Sequence, residues 1–175
     1  GIVMQLHPDE PLIIEGIHAL NPMLLNDDID RDKLFRVYVS ALTTLNIDDH
    51  NRIHTTDARL LRRLVRDYET RGASMEHTLS MWPSVRRGEE KWIFPYQENA
   101  DALFNTTLVY EVSVLKKYVY PLLQEVPKES PCYAAARDIT KVLNYFLDAD
   151  GIEDEIPPTS ILREFIGGCT FYRKD

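Results

Sequence analysis

The chain has 175 residues, 44% of them apolar, and a formal net charge of -8, which suits one sizeable core and is short for two independent domains. The acidic balance excludes a general nucleic-acid binder, whose surface must neutralise phosphates, and the longest apolar runs, such as Leu12-Ile13-Ile14, fall far short of the roughly 20 residues that cross a bilayer. Two cysteines, Cys132 and Cys169, make neither a disulfide framework nor a CxxC pair, and no basic-then-apolar leader opens the chain, so the expectation is a cytoplasmic protein with no membrane and no nucleic acid among its partners.

Pro8 and Pro11 bracket an irregular start. Leu12-Ile13-Ile14 is wholly apolar and ends at Glu15-Gly16, the pattern of a buried parallel strand with a carboxylate at its C-terminal end. Asn21-Pro22 breaks the chain, residues 27–32 are acidic, and Leu34 to Val39 is rich in strand formers. Thr56 or Asp57 can cap a helix that runs to about Thr70 and stops near Arg71-Gly72, where glycine takes a left-handed cap. Its apolar side is Leu60, Leu61, Leu64, Val65 and Tyr68. Two further helices are expected over 74–81 and 84–92, separated by Trp82-Pro83, then a short strand at 102–104. A helix over 109–124 buries Val112, Leu115, Val119 and Leu122 or Leu123. Helices near 133–147 and 160–165 flank an acidic, proline-bounded loop at 148–158.

Charge is unevenly spread. From Arg52 to Lys91 there are nine Lys/Arg against six Asp/Glu, inside an otherwise strongly acidic chain, which points to a local anionic partner. Arg59, Arg62, Arg63 and Arg66 fall on one face of the expected helix, with Arg71 just beyond and Arg86-Arg87 in a later segment. Stacked like charges repel by about a few tenths of a kcal/mol per pair, so the face needs anions. They are either the chain's own carboxylates or the phosphates of a ligand, which the planar fork of arginine grips well. Glu15 stands where phosphoryl-transfer enzymes hold magnesium, since a hard cation wants oxygen ligands beside phosphates; taken alone, it reads more simply as a strand-end carboxylate capping a turn. His18, His50, His54 and His77 share no metal-ligand spacing, and the seven glycines never form GxxxxGK[ST].

Three stretches resemble the uridine kinase and phosphoribulokinase family of P-loop kinases. Leu12 to Leu20 is similar to its second acidic strand with a Glu-Gly pair, Asp57 to Asp67 followed by Arg71-Gly72 to its arginine-bearing lid helix, and Phe94-Pro95 through Ala100-Asp101-Ala102 to the approach to its last strand. Asn46 to Arg52, Trp82 to Glu90 and Ile161 to Gly168 resemble a bacterial subgroup of nucleoside or uridine kinase-like proteins in which the kinase follows a TGS module.

The resemblance implies an α/β, P-loop NTPase-like three-layer fold of which this chain is the C-terminal part, helix-rich with a few parallel strands. Residues 1–126 would be the C-terminal part of the kinase domain with its lid helix, and 127–175 a helical extension packed on it. It implies transfer of the ATP γ-phosphate to a sugar hydroxyl, with ATP and Mg2+ as cofactors of the complete enzyme and a nucleotide and a small phosphate acceptor as partners. Glu15 would help hold magnesium, and Arg63, Arg66 and Arg71, with Arg59 on the same face, would meet the phosphates or the acceptor. The family's P-loop and its hydroxyl-activating acid precede the Glu-Gly strand and have no counterpart in these residues. No catalytic residue is therefore assigned, and the chain alone is expected to be inactive. Uridine kinases usually carry Arg and Gln where this chain has Ala73 and Met81. An expectation from another class is a non-catalytic module whose arginine face docks an acidic partner or the chain's own acidic tail; homo-oligomerisation stays open.

Overall fold

A parallel strand pair needs a long crossover, because its second strand must start again from the same end as the first. Here β1 (Val37–Ser40) and β2 (Ala102–Asn105) are joined through α1 (Thr55–Arg71) and α2 (Met75–Trp92). In this computed structural model of the chain, residues 5–24 and 29–171 are described. The Arg36 carbonyl accepts from Ala102 N at 3.2 Å and the Ser40 carbonyl from Thr106 N at 2.9 Å, so the strands advance together and are parallel. The remaining helices are α3 (Glu111–Gln124), α4 (Tyr133–Leu143) and the single turn α5 (Arg163–Ile166). Among the described residues the result is a helix-rich α/β arrangement with two parallel strands.

The chain divides into two compact units, residues 1–38 with 87–103, and residues 39–86 with 104–175. The second holds the apolar core. Leu61, Leu64, Leu115, Leu143 and Leu162 are fully buried there, α3 packs on α1 and α4, and α5 packs on α1. Val112, Leu115, Val119 and Leu123 supply the inward stripe of α3, as their spacing predicts. Residues 148–158 stay largely irregular, with a 3-10 turn at Glu153–Glu155. Arg163 ties this loop down by donating from Nη2 to the carbonyls of Glu153 and Ile156, both at 2.6 Å.

Two expectations fail. Leu12-Ile13-Ile14 forms no strand and lies exposed, Ile13 at 87%. A parallel strand is made by neighbours on both sides, and among the described residues only β1 and β2 pair in a sheet. The two helices expected around Trp82-Pro83 are instead one, α2, with Pro83 inside it. Met75, Thr78 and Leu79 anchor the helix before the proline and Glu89 after it, all buried; tertiary burial overrides a local breaker when both flanks are held. Smaller shifts occur at ends: α4 stops at Leu143, leaving Tyr145 and Leu147 exposed.

Candidate functional site

Helix α1 is built to hold a charged face still. Leu60, Leu61, Leu64 and Val65 are buried along one side. Asp57 sits in the first turn, where the helix dipole favours a carboxylate, and Arg71 in the last, where it favours a cation. Gly72 closes the helix in the left-handed conformation at φ 63°, its N–H returning to the Tyr68 carbonyl at 3.2 Å, while Ala73 N bonds the Asp67 carbonyl at 3.0 Å. The helix starts at Thr55 after His54, slightly earlier than expected.

The arginines divide into an inner and an outer set. Arg62 is buried. Its Nη2 donates to Glu111 Oε2 and, at 2.7 Å, to the Thr106 carbonyl, its Nη1 to Thr106 Oγ1 at 3.1 Å, and the guanidinium lies 5.6 Å from the Phe165 ring centroid. Arg62 therefore joins α1 to the end of β2 and the start of α3 and takes no part in an open face. In the outer set, Arg63 and Arg71 share Asp67, which lies four residues from each. Arg63 Nε donates to Oδ2 at 2.7 Å and Arg71 Nη1 to Oδ1 at 2.8 Å. Arg66 Nη1 meets Glu164 of α5 at 3.2 Å, and Arg59 is half-buried on the same helix. Both sources of anions foreseen for this face remain relevant, since Asp67 and Glu164 answer three cations with two charges.

Glu15 lies in the first unit, exposed, just before a turn in which Ala19 N bonds the Gly16 carbonyl at 3.0 Å. Among the described residues no cluster of three or more His, Cys, Asp or Glu side chains is arranged to hold a metal, so Glu15 offers one carboxylate. In the same unit Asp101 forms a bidentate pair with Arg31, at 2.6 and 3.3 Å, and accepts from Arg36 N at 2.7 Å. The hydrogen-bonded Arg31 guanidinium, helped by the Arg36 amide, holds the Asp101 carboxyl below the usual range. At the N-terminal end of α1 a cleft of about 270 Å³ is lined by Asp48, Asn51, Arg52, His54, Asp57 and Tyr145 among others. Burial pushes the Asp57 carboxyl up, opposed by His54.

A family model for the phosphoribulokinase and uridine kinase family matches residues 4–113. The chain belongs to this family. Uridine kinases of Staphylococcus aureus strains JH9, Newman and MW2 are each 31% identical to it over 103 residues, covering 58% of this chain and 42% of the relatives. The chain thus corresponds to less than half the length of these curated relatives. No solved structure matches. The phosphoribulokinase and uridine kinase family is one of ATP-dependent kinases, and the matched segment includes Glu15, Asp101 and the whole of α1. Helix α4 and α5, with Glu164, lie outside it. No helix among the described residues is long and apolar enough to cross a membrane. Asp67 and Glu111 carry much of the geometry and were not singled out from sequence. Asp67 was legible through its spacing of four from Arg63 and from Arg71; nothing local marks Glu111 as the partner of Arg62.

Proposed function

We propose that this chain forms the arginine-bearing lid portion of an ATP-dependent phosphotransferase that moves the γ-phosphoryl group of ATP to a sugar hydroxyl of a small acceptor. The supporting observation is that Arg59, Arg63, Arg66 and Arg71 all stand on α1, one long capped helix inside the segment shared with the kinase family. Charge in phosphoryl transfer spreads over the phosphate oxygens, and catalysis is mostly positioning and electrostatic support. Planar guanidinium forks on a rigid helix suit that task. Glu15 is the proposed magnesium residue: its carboxylate would supply one oxygen ligand to the ion, which would offset the negative charge of the phosphates. These residues contain no GxxxxGK[ST] loop and do not fit a triphosphate cradle. The cradle and the base for the acceptor hydroxyl are proposed to come from outside the chain, which alone is inactive. Residues 127–175 are proposed to be a helical extension.

One observation favours a second reading. The Arg66–Glu164 pair shows the arginine face already engaging an acid from the chain's own C-terminal region, as a docking module would. Titration of pyrophosphate into the 175-residue chain, followed through arginine side-chain signals and melting temperature, separates the two. Weak millimolar binding at Arg63 and Arg71 is the result expected of a lid. No anion effect at any salt concentration favours the docking module.

A further inference from the structure

Asp67 occupies an unusual place for an acid beside a phosphate site. Its side chain is 4% exposed, against 27% for Arg63 and 56% for Arg71. Oδ2 accepts from Arg63 Nε at 2.7 Å and from the buried Thr78 hydroxyl of α2 at 3.4 Å, and Oδ1 accepts from Arg71 Nη1 at 2.8 Å. One enclosed carboxylate therefore serves two cations, which leaves the cluster with a net positive charge. Each arginine gives it a single N–H. Among the described residues, both terminal nitrogens of Arg63, and Nε and Nη2 of Arg71, are left available for another acceptor. A long side chain that is already fixed loses less freedom on binding a ligand than one that must be ordered by it.

We propose that Asp67 is a positioning residue for the phosphate site: it touches no phosphate, and it holds the guanidinium groups of Arg63 and Arg71 ready for the phosphoryl oxygens of a nucleotide. The inference rests on the phosphate reading of α1 given above. Its test lies in a sign. Through space Asp67 repels any anion bound to either arginine, so removing a carboxylate with no positioning role strengthens anion binding. Removing a positioning carboxylate weakens it.

Pyrophosphate is titrated at fixed ionic strength into the 175-residue chain and into Asp67→Asn, Asp67→Glu and Arg71→Ala, each at a temperature where melting curves show it folded. The wild-type chain is expected to bind, and Arg71→Ala to lose most of that binding. Asp67→Asn is expected to bind about tenfold more weakly despite the lost negative charge, because misplaced groups forfeit most of their contribution. Asp67→Glu keeps the charge, moves the acceptor and is also expected to weaken binding; it decides the question if Asp67→Asn does not fold. Equal or tighter binding in Asp67→Asn, or unchanged binding in Asp67→Glu where the Asn variant is unfolded, overturns the positioning role and leaves the phosphate reading standing. No binding by the wild-type chain, or binding indifferent to Arg71→Ala, overturns the phosphate reading and this inference together.

Discussion

Arg62 and Arg63 are adjacent in sequence, yet one is sealed beside Glu111 and the other stays partly open beside Asp67. Their spacing places both on the charged face. The sequence could not separate them because the buried arc of α1 is widened by two neighbours, α3 and α5, which come from distant parts of the chain. The inner pair makes a strong demand on stability. Glu111 is 1% exposed and its Oε1 has no hydrogen-bond partner, so without Arg62 the buried carboxylate keeps only the Leu108 N–H, at 3.3 Å. Arg62→Ala is expected to cost about 3–5 kcal/mol in urea unfolding. Arg66→Ala breaks only the half-exposed pair with Glu164 and is expected to cost about 0–1 kcal/mol. Equal costs for the two variants would contradict the division into inner and outer arginines.

At the scale of elements, the helices with strong periodicity were legible, and so was the glycine stop of α1. A Cβ on Gly72 meets nothing within 4 Å, so Gly72→Ala isolates the backbone effect of φ 63°. It is expected to destabilise by about 1 kcal/mol, and an unchanged denaturation midpoint would show that the left-handed cap does not stabilise α1. Pro83 was misleading because the burial that holds α2 on both sides is not local. Strands β1 and β2 were legible to within a few residues; the clamp beside them, Asp101 with Arg31 and the Arg36 amide, was not, since its members are separated by most of a crossover. This clamp has a defined pH window. Because the folded Asp101 carboxyl lies below its ordinary value, its contribution is fully present above about pH 4 and is lost as pH falls through the folded value. The Arg36 amide resonance is expected to titrate only below about pH 4 and to lose that transition in Asp101→Asn. A midpoint at or above the ordinary carboxylate value would contradict the geometry.

Over the whole molecule, the apolar core of the second unit explains why that part holds together, while other apolar groups remain uncovered. Ile13 and Ile14, Phe35, Val39 and Phe104 are all well exposed. A two-stranded parallel sheet is an unusual end point, since such sheets are normally covered on both faces, and the strand expected at Leu12-Ile13-Ile14 fails for want of neighbours. The segment is apolar as its residues say, but strand state depends on neighbours, and among the described residues none pairs with it. Dye binding offers a check: the 175-residue chain is expected to enhance ANS fluorescence while folded, and a signal no higher than that of a well-covered globular control would mean these groups are masked. Helix α1 is proposed to act as a phosphate lid. The decisive measurement is kcat/KM together with melting temperature for Arg63→Ala in a kinase-competent polypeptide that carries this segment joined to a P-loop. For a lid, kcat/KM is expected to fall about 100-fold with little change in melting temperature; intact turnover with a lowered melting temperature would contradict that role.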